Sequence, residues 1–286
     1  MKTFSVIGSG RVGTALALAL CQRGLELRYL TDVSPARARQ ARKLIGRGQA
    51  ATDNLLAVSS AGLTFICVPD DMIPEVVKEI SAAELGGKFV FHTSGACSSE
   101  LLQPLAQKGA RIGSFHPAQT FAEPLSEPGI FKGIYIGIEG QPEAVELAKG
   151  LAARLGAHAL LLSAAEKPLY HLALSMSSNF LIVLLHEVKE LLKTAGLEEE
   201  TVLEILCPLL NKTLQNVKNL GISASLTGPV VRGDLKTVEK HLAITDRKPG
   251  LDQIYRSMAL EALKLAGNRG LSREKIKALK HLLEQK

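Results

Sequence analysis

An apolar run, Phe4-Ser5-Val6-Ile7, passes directly into Gly8-Ser9-Gly10-Arg11-Val12-Gly13 and then into Thr14-Ala15-Leu16-Ala17-Leu18-Ala19-Leu20. That order reads as strand, tight turn and helix, and few folds accommodate it. The three glycines act differently, since Gly8 turns the chain, Gly10 admits a ligand close to the backbone, and Gly13 lets the helix lie against the strand. The first N–H groups of a helix have no partner inside it and carry partial positive charge, so they face an anion. A second strand follows, Leu25 to Leu30, which completes the context a dinucleotide site needs. The pattern therefore predicts a pyrophosphate held by Gly8, Ser9, Gly10, Arg11, Val12 and Gly13. A glycine-rich turn without a ligand is the blander reading.

Asp32, about twenty residues beyond the glycines, stands where a carboxylate accepts the ribose hydroxyls of NAD. Arg37 and Arg39 follow on the next helix and could neutralise the extra phosphate of NADP. Both cofactors, NAD or NADP, stay open. Asp32 could also be a simple turn residue, because Ser34 suits an N-cap and Pro35 the first helical position.

The chain has 286 residues, 46% of them hydrophobic, enough for two domains. Up to about residue 160 strands and helices alternate, which argues for a parallel sheet covered on both faces. After Ser163 apolar residues recur at helical spacing and no strand-like run appears. The fold class expected is α/β: a Rossmann-type parallel sheet domain, 1–162, followed by an all-α C-terminal domain, 163–286. Ser163-Ala164-Ala165-Glu166 reads as a capping box opening a helix to about Ala195. That helix is apolar nearly all round, so it should be covered by other helices or by a second subunit.

The net charge of +6 is spread over helices without interleaved aromatics, so nucleic acid is not expected as a partner. Cys21, Cys67, Cys97 and Cys207 are widely spaced, which suits free thiols in a reducing cytoplasm and no metal site. The most apolar later segment, 179–185, is too short to span a bilayer, and no membrane role is expected.

Ligands of open α/β sheets lie at the carboxyl ends of the strands. Three polar segments belong there: Val68-Pro69-Asp70-Asp71, His92-Thr93-Ser94-Gly95 and His116-Pro117-Ala118-Gln119-Thr120. Val68, Pro69 and Ser94 are assigned to the cofactor, and His116 is the preferred acid/base. His92 lies within its strand and reads as structural. On the long helix His171, Ser175 and Asn179 form one polar stripe, which needs partners or a site. Arg232, in the turn Ser225 to Asp234, could grip a carboxylate in two-pronged fashion, while Asp234 caps the next helix. His241 reads as packed.

These signatures resemble the bacterial Rossmann-like proteins with a helical C-terminal domain of unknown function, labelled NAD(P)-dependent oxidoreductases. The resemblance runs through Gly8 to Gly13, Val68 to Asp71, His92 to Gly95, His116 to Phe121, Tyr170-His171, Asn179, Leu226 to Pro229, Arg232 to Asp234 and His241-Leu242. It implies a dinucleotide domain followed by a helical dimerisation domain. More distantly the chain is similar to prephenate dehydrogenases, hydroxyacyl-CoA dehydrogenases and pyrroline-carboxylate reductases. The first two groups keep a catalytic histidine where His116 stands, although Ala118-Gln119-Thr120 departs from them. The lysine–asparagine pair of phosphogluconate and hydroxyisobutyrate dehydrogenases does not carry over, since His171 and Asn179 are spaced differently with no lysine between.

The expectation is a homodimeric cytoplasmic enzyme moving a hydride between NAD(P) and a small carboxylate-bearing hydroxy or oxo acid. His116, His171, Asn179 and Arg232 would be catalytic. The rivals are a dinucleotide-binding sensor without turnover and an imine reductase.

Overall fold

The computed structural model describes residues 2–122 and 129–285. Eight strands form one sheet: β1 Thr3–Ile7, β2 Glu26–Thr31, β3 Gln49–Ala51, β4 Leu63–Ile66, β5 Phe89–His92, β6 Arg111–Pro117, β7 Tyr135–Gly140 and β8 His158–Leu161. Their spatial order is β3-β2-β1-β4-β5-β6-β7-β8. Between them run α1 Arg11–Gln22, α2 Pro35–Ile45, α3 Asn54–Ser59, α4 Ile73–Ile80, α5 Gln103–Ala106 and α6 Pro142–Leu155. Then come only helices: α7 Lys167–Thr194, α8 Glu199–Leu220, α9 Ile222–Ser225, α10 Pro229–Arg232, α11 Leu235–Thr245, α12 Pro249–Gly267 and α13 Arg273–Glu284.

The central strands are apolar on both faces because helices cover both. Phe65, Phe91 and Phe115 lie on three neighbouring strands, β4, β5 and β6, with ring centroids 5.5 to 6.3 Å apart. All three are fully buried, and this row fixes the relative heights of the strands that end at the site. Strand β4 runs parallel to both β1 and β5, and β5 to β6, so their carboxyl ends share one edge.

The sheet is parallel at every pairing but one. Strand β7 pairs antiparallel with β6, with Ser114 opposite Glu139 and His116 opposite Gly137. A parallel return needs a crossover element, usually a helix, and among the described residues none stands between β6 and β7. Helix α6 then restores a parallel pairing of β7 with β8.

The chain divides into two compact units, residues 1–181 and 182–286. The first takes in the opening turns of α7, beyond the boundary expected at 162/163. Glu166 accepts both the N–H and the hydroxyl of Ser163, at 2.7 and 2.8 Å, which sets the start of that helix as the capping box required. Among the described residues that helix is not covered. Leu169, Leu172, Met176, Phe180 and Val183 recur at helical spacing and are each more than half exposed. By length and composition α7 would span a membrane. Its stretch without Asp, Glu, Lys or Arg, 168–186, is about 28 Å long at 1.5 Å per residue, close to the roughly 30 Å of hydrocarbon, but it is interrupted by His171, Ser175, Ser177, Ser178 and Asn179.

In the second unit Val230, Val238, Leu242, Ala259, Leu263, Leu279 and Leu283 form the core. Arg256 binds Asp246 and Asp252 at 2.8 and 2.7 Å and donates to the carbonyls of Leu282, Leu283 and Gln285, closing the end of α13.

Candidate functional site

The glycine loop is built as its sequence requires. Gly8 has φ +96°, and a Cβ there would stand 2.5 Å from the Cys67 carbonyl oxygen. A Cβ on Gly13 would stand 2.0 Å from the carbonyl oxygen of Gly8, so only glycine lets α1 start this close to β1. Gly10 differs, because a Cβ there meets nothing within 4 Å. Gly10 is also the N-cap of α1, with no side chain capping the helix and no acidic residue in its first turn. The helix start therefore presents backbone donors toward open space, and this cradle fits a dinucleotide's pyrophosphate.

Asp32 closes the loop from the side. Its carboxylate accepts the Ser9 N–H at 3.1 Å, the Ser9 hydroxyl at 3.0 Å and the Ser34 N–H at 2.9 Å, and pairs with Arg37 at 3.1 Å. Ser34 meanwhile caps α2 by accepting the Arg37 N–H. The turn and cap functions are thus both filled, and a ribose hydroxyl reaches Asp32 only by displacing one of these donors. Val68 packs on Gly8, and Pro69 is exposed at the head of a short turn.

At the ends of β5 and β6 the polar groups converge. Ser94 donates its hydroxyl to Asp70 at 2.8 Å, accepts the Cys97 N–H on that hydroxyl at 3.0 Å, and donates its own N–H to His92 Nδ1 at 3.2 Å. The other nitrogen of His92, Nε2, lies 3.1 Å from the carbonyl oxygen of Ser98, which can only accept. The ring is therefore neutral with its proton on Nε2, a structural histidine as its place in the strand suggested. Burial first, then the Lys167 charge, push its pKa down to about 4.

His116 Nδ1 lies 3.2 Å from the Tyr170 hydroxyl, and the two rings meet edge to face. His171 stands on its other side, ring centroids 6.0 Å apart. A Cβ on Gly95 would come within 2.7 Å of His116 Nε2 and 2.6 Å of His171 Cδ2, so this glycine is the floor on which both imidazoles rest. Burial, then Lys167, then His171 lower the pKa of His116 to about 4, and the nearby Asp70 only partly opposes them. Burial pushes the Tyr170 phenol up to about 12, so it keeps its proton.

The structure thus joins His116 and His171. Asn179 lies on the same helix face, about 12 Å further along at 1.5 Å per residue, and is exposed. Arg232 belongs to the second unit, at the end of α10, where it is exposed and its carbonyl accepts from Lys275. Asp234 caps α11 by accepting the Thr237 N–H at 3.1 Å, and His241 bonds the Tyr255 hydroxyl at 2.9 Å. No cluster of three His, Cys, Asp or Glu side chains suited to a metal occurs among the described residues.

Tyr170 and Lys167 lie outside the catalytic set that the sequence suggests. A signal for Lys167 is present all the same: it stands four residues before His171, so it extends the His171, Ser175, Asn179 stripe by one turn. Its ammonium is fully buried and donates to the Ser94 carbonyl at 3.1 Å and the Ser114 hydroxyl at 2.9 Å.

Two family models match the chain: a Rossmann-like domain over residues 2–117 and the domain of unknown function DUF2520 over residues 134–262. A comparison with curated proteins found no match. Among solved structures, a protein of Bacteroides fragilis provisionally named an NADP oxidoreductase is 23% identical, with a TM-score of 0.80 over 92% of this chain and 98% of its own. A protein of Thermotoga maritima is 26% identical, with a TM-score of 0.71 over 93% and 99%. A reductive aminase of Aspergillus terreus, in complex with NADPH and ethyl-5-oxohexanoate, is 20% identical, with a TM-score of 0.64 over 99% and 92%.

Proposed function

We propose that this chain, a Rossmann-like domain followed by a DUF2520 domain, is an NAD(P)-dependent oxidoreductase acting on a small hydroxy or oxo acid. One observation carries the reading. An uncapped glycine loop suited to a pyrophosphate and a neutral, cornered histidine stand at the carboxyl ends of parallel strands of one sheet.

Gly8 to Gly13 would hold the pyrophosphate, with Asp32 and Arg37 at the adenosine ribose and Val68, Pro69 and Ser94 lining the way to the reactive ring. Bound there, the nicotinamide supplies a hydride acceptor or donor. His116 handles the proton. In the tautomer whose Nδ1–H donates to the Tyr170 oxygen, the Nε2 lone pair is free to take the substrate's hydroxyl proton as hydride departs from carbon. With a pKa of about 4, only about one His116 in a thousand is protonated at pH 7, so near neutrality it serves as a base. His171, beside that ring, orients the substrate.

The exposed apolar stripe of α7 is covered by a second copy of the chain, making a cytoplasmic homodimer. The four free cysteines suit that reducing compartment. Likeness to the reductive aminase supports a second reading, imine reduction. The test is nicotinamide absorbance with a panel of hydroxy and oxo acids and a panel of ketone–amine pairs, for wild type and His116→Ala. Turnover of an acid that falls at least a hundredfold in the variant supports the first reading. Equal rates remove His116 from the mechanism. Turnover of ketone–amine pairs alone selects imine reduction, and cofactor binding without turnover on either panel returns the sensor.

A further inference from the structure

Lys167 is the one lysine buried to zero exposure among the described residues, and no carboxylate lies within ion-pair distance of it. Its two partners are neutral oxygens, Ser94 O and Ser114 Oγ. An ammonium taken out of water without a bonded counter-ion is costly, whereas a methionine or leucine of similar size would cost nothing of the kind. It is too deep to touch a ligand. Yet its two bonds tie the first turn of α7 to the loop after β5 and to the β6 residue two before His116.

We propose that Lys167 is a positioning residue: from within the wall of the site its two hydrogen bonds hold Tyr170 and His171 against His116 and set a buried positive charge beside that ring. The role of His116 as the proton acceptor comes from the function proposed above, and this inference rests on it. Lys167 acts through that ring and not on the substrate.

The charged and titratable groups facing His116 come from every element around it. They are His92 on β5, Asp70 after β4, Cys97 after β5, Glu139 on β7, and Lys167, Tyr170 and His171 on α7. Asp70 is engaged by the Ser94 hydroxyl, and Glu139 by the N–H and hydroxyl of Ser99 at 2.7 Å each. Burial lowers the pKa of Lys167, and Glu139, Cys97 and Asp70 oppose that from a distance without bonding its ammonium. The positive charge is therefore felt by His92 and His116, and for both rings it is the largest influence after burial itself.

The experiment is an imidazole NMR titration of His116 in the full chain, without cofactor or substrate, for wild type, Lys167→Met and Lys167→Arg. A midpoint near 4 in wild type should rise by about one pH unit in Lys167→Met, a typical effect of one nearby charge. Lys167→Arg keeps the charge and should restore the wild-type midpoint. Should Lys167→Met fail to fold, Lys167→Gln, which keeps a donor without charge, is read in the same way. A midpoint that stays near 4 in the uncharged variant overturns the proposal, as does one that rises equally in Lys167→Arg. The titration needs no turnover, so failure of the enzymatic reading leaves this result independent of it. With a substrate in hand, the acid limb of kcat/KM should move upward with the same midpoint.

Discussion

Acidification is a direct probe of the site's electrostatics, and His92 gives it a magnitude. Its ring is fully buried, accepts the Ser94 N–H on Nδ1 and donates Nε2–H to Ser98. A proton added to Nδ1 meets that N–H head on. The folded protein therefore holds this histidine neutral down to about pH 4, while the unfolded chain protonates it near 6.5. Between those values the unfolded state binds one more proton, so stability falls as pH falls, by about 1.4 kcal/mol per unit. The gap corresponds to roughly 3 kcal/mol, fully lost once pH drops below the folded value. That is a large part of the 5 to 15 kcal/mol typical of a folded domain. The assay is urea unfolding by circular dichroism from pH 7.5 to 4.5, with the two compact units fitted as separate transitions. The comparison is His92→Gln, whose amide can accept from Ser94 and donate to Ser98 without titrating. The sheet transition of wild type should lose stability with pH more steeply than that of the variant, by about one proton's slope. Equal slopes would refute the neutral, trapped histidine.

Two glycines give further predictions. Gly13→Ala places a methyl on the Gly8 carbonyl, so α1 must move from β1, and thermal melts should show a loss of several degrees with cofactor affinity down tenfold or more. Gly95→Ala pushes against both imidazoles at once. Normal contacts begin near 3.5 Å, so each ring must shift by up to about 1 Å, and a misplacement of that size costs about a hundredfold in turnover while cofactor affinity holds. Unchanged turnover in Gly95→Ala would remove the two-ring geometry from the mechanism.

The parts of the fold legible in the sequence are those set by local chemistry. Gly13 is fixed by the Gly8 carbonyl within the loop itself, the Ser163–Glu166 box by its own spacing, and Asp234 by the helix it starts. The rest depends on distant partners. The antiparallel pairing of β7 with β6 goes with no crossover helix among the described residues between them, which no single residue announces. The short strand Gln49–Ala51 is half-polar and pairs only at the sheet's edge. Lys167 reads in sequence as one more charge at a helix start, and its burial becomes evident only when Ser94 and Ser114 arrive from remote strands. The apolar surface of α7 is legible, but among the described residues it stays largely exposed.

Every functional step above requires the uncapped turn at Gly10 to receive a dinucleotide's diphosphate. Gly10→Ala probes this without disturbing the fold, because its φ is −68° and the added methyl meets no protein atom within 4 Å. Calorimetric titration of wild type with NADPH and NADH should show saturable binding of at least one at one per chain. Gly10→Ala, with an unchanged melting temperature, should bind that nucleotide at least tenfold more weakly. Absence of heat with either nucleotide in wild type, or equal affinity in the two proteins, contradicts a diphosphate cradle at Gly10.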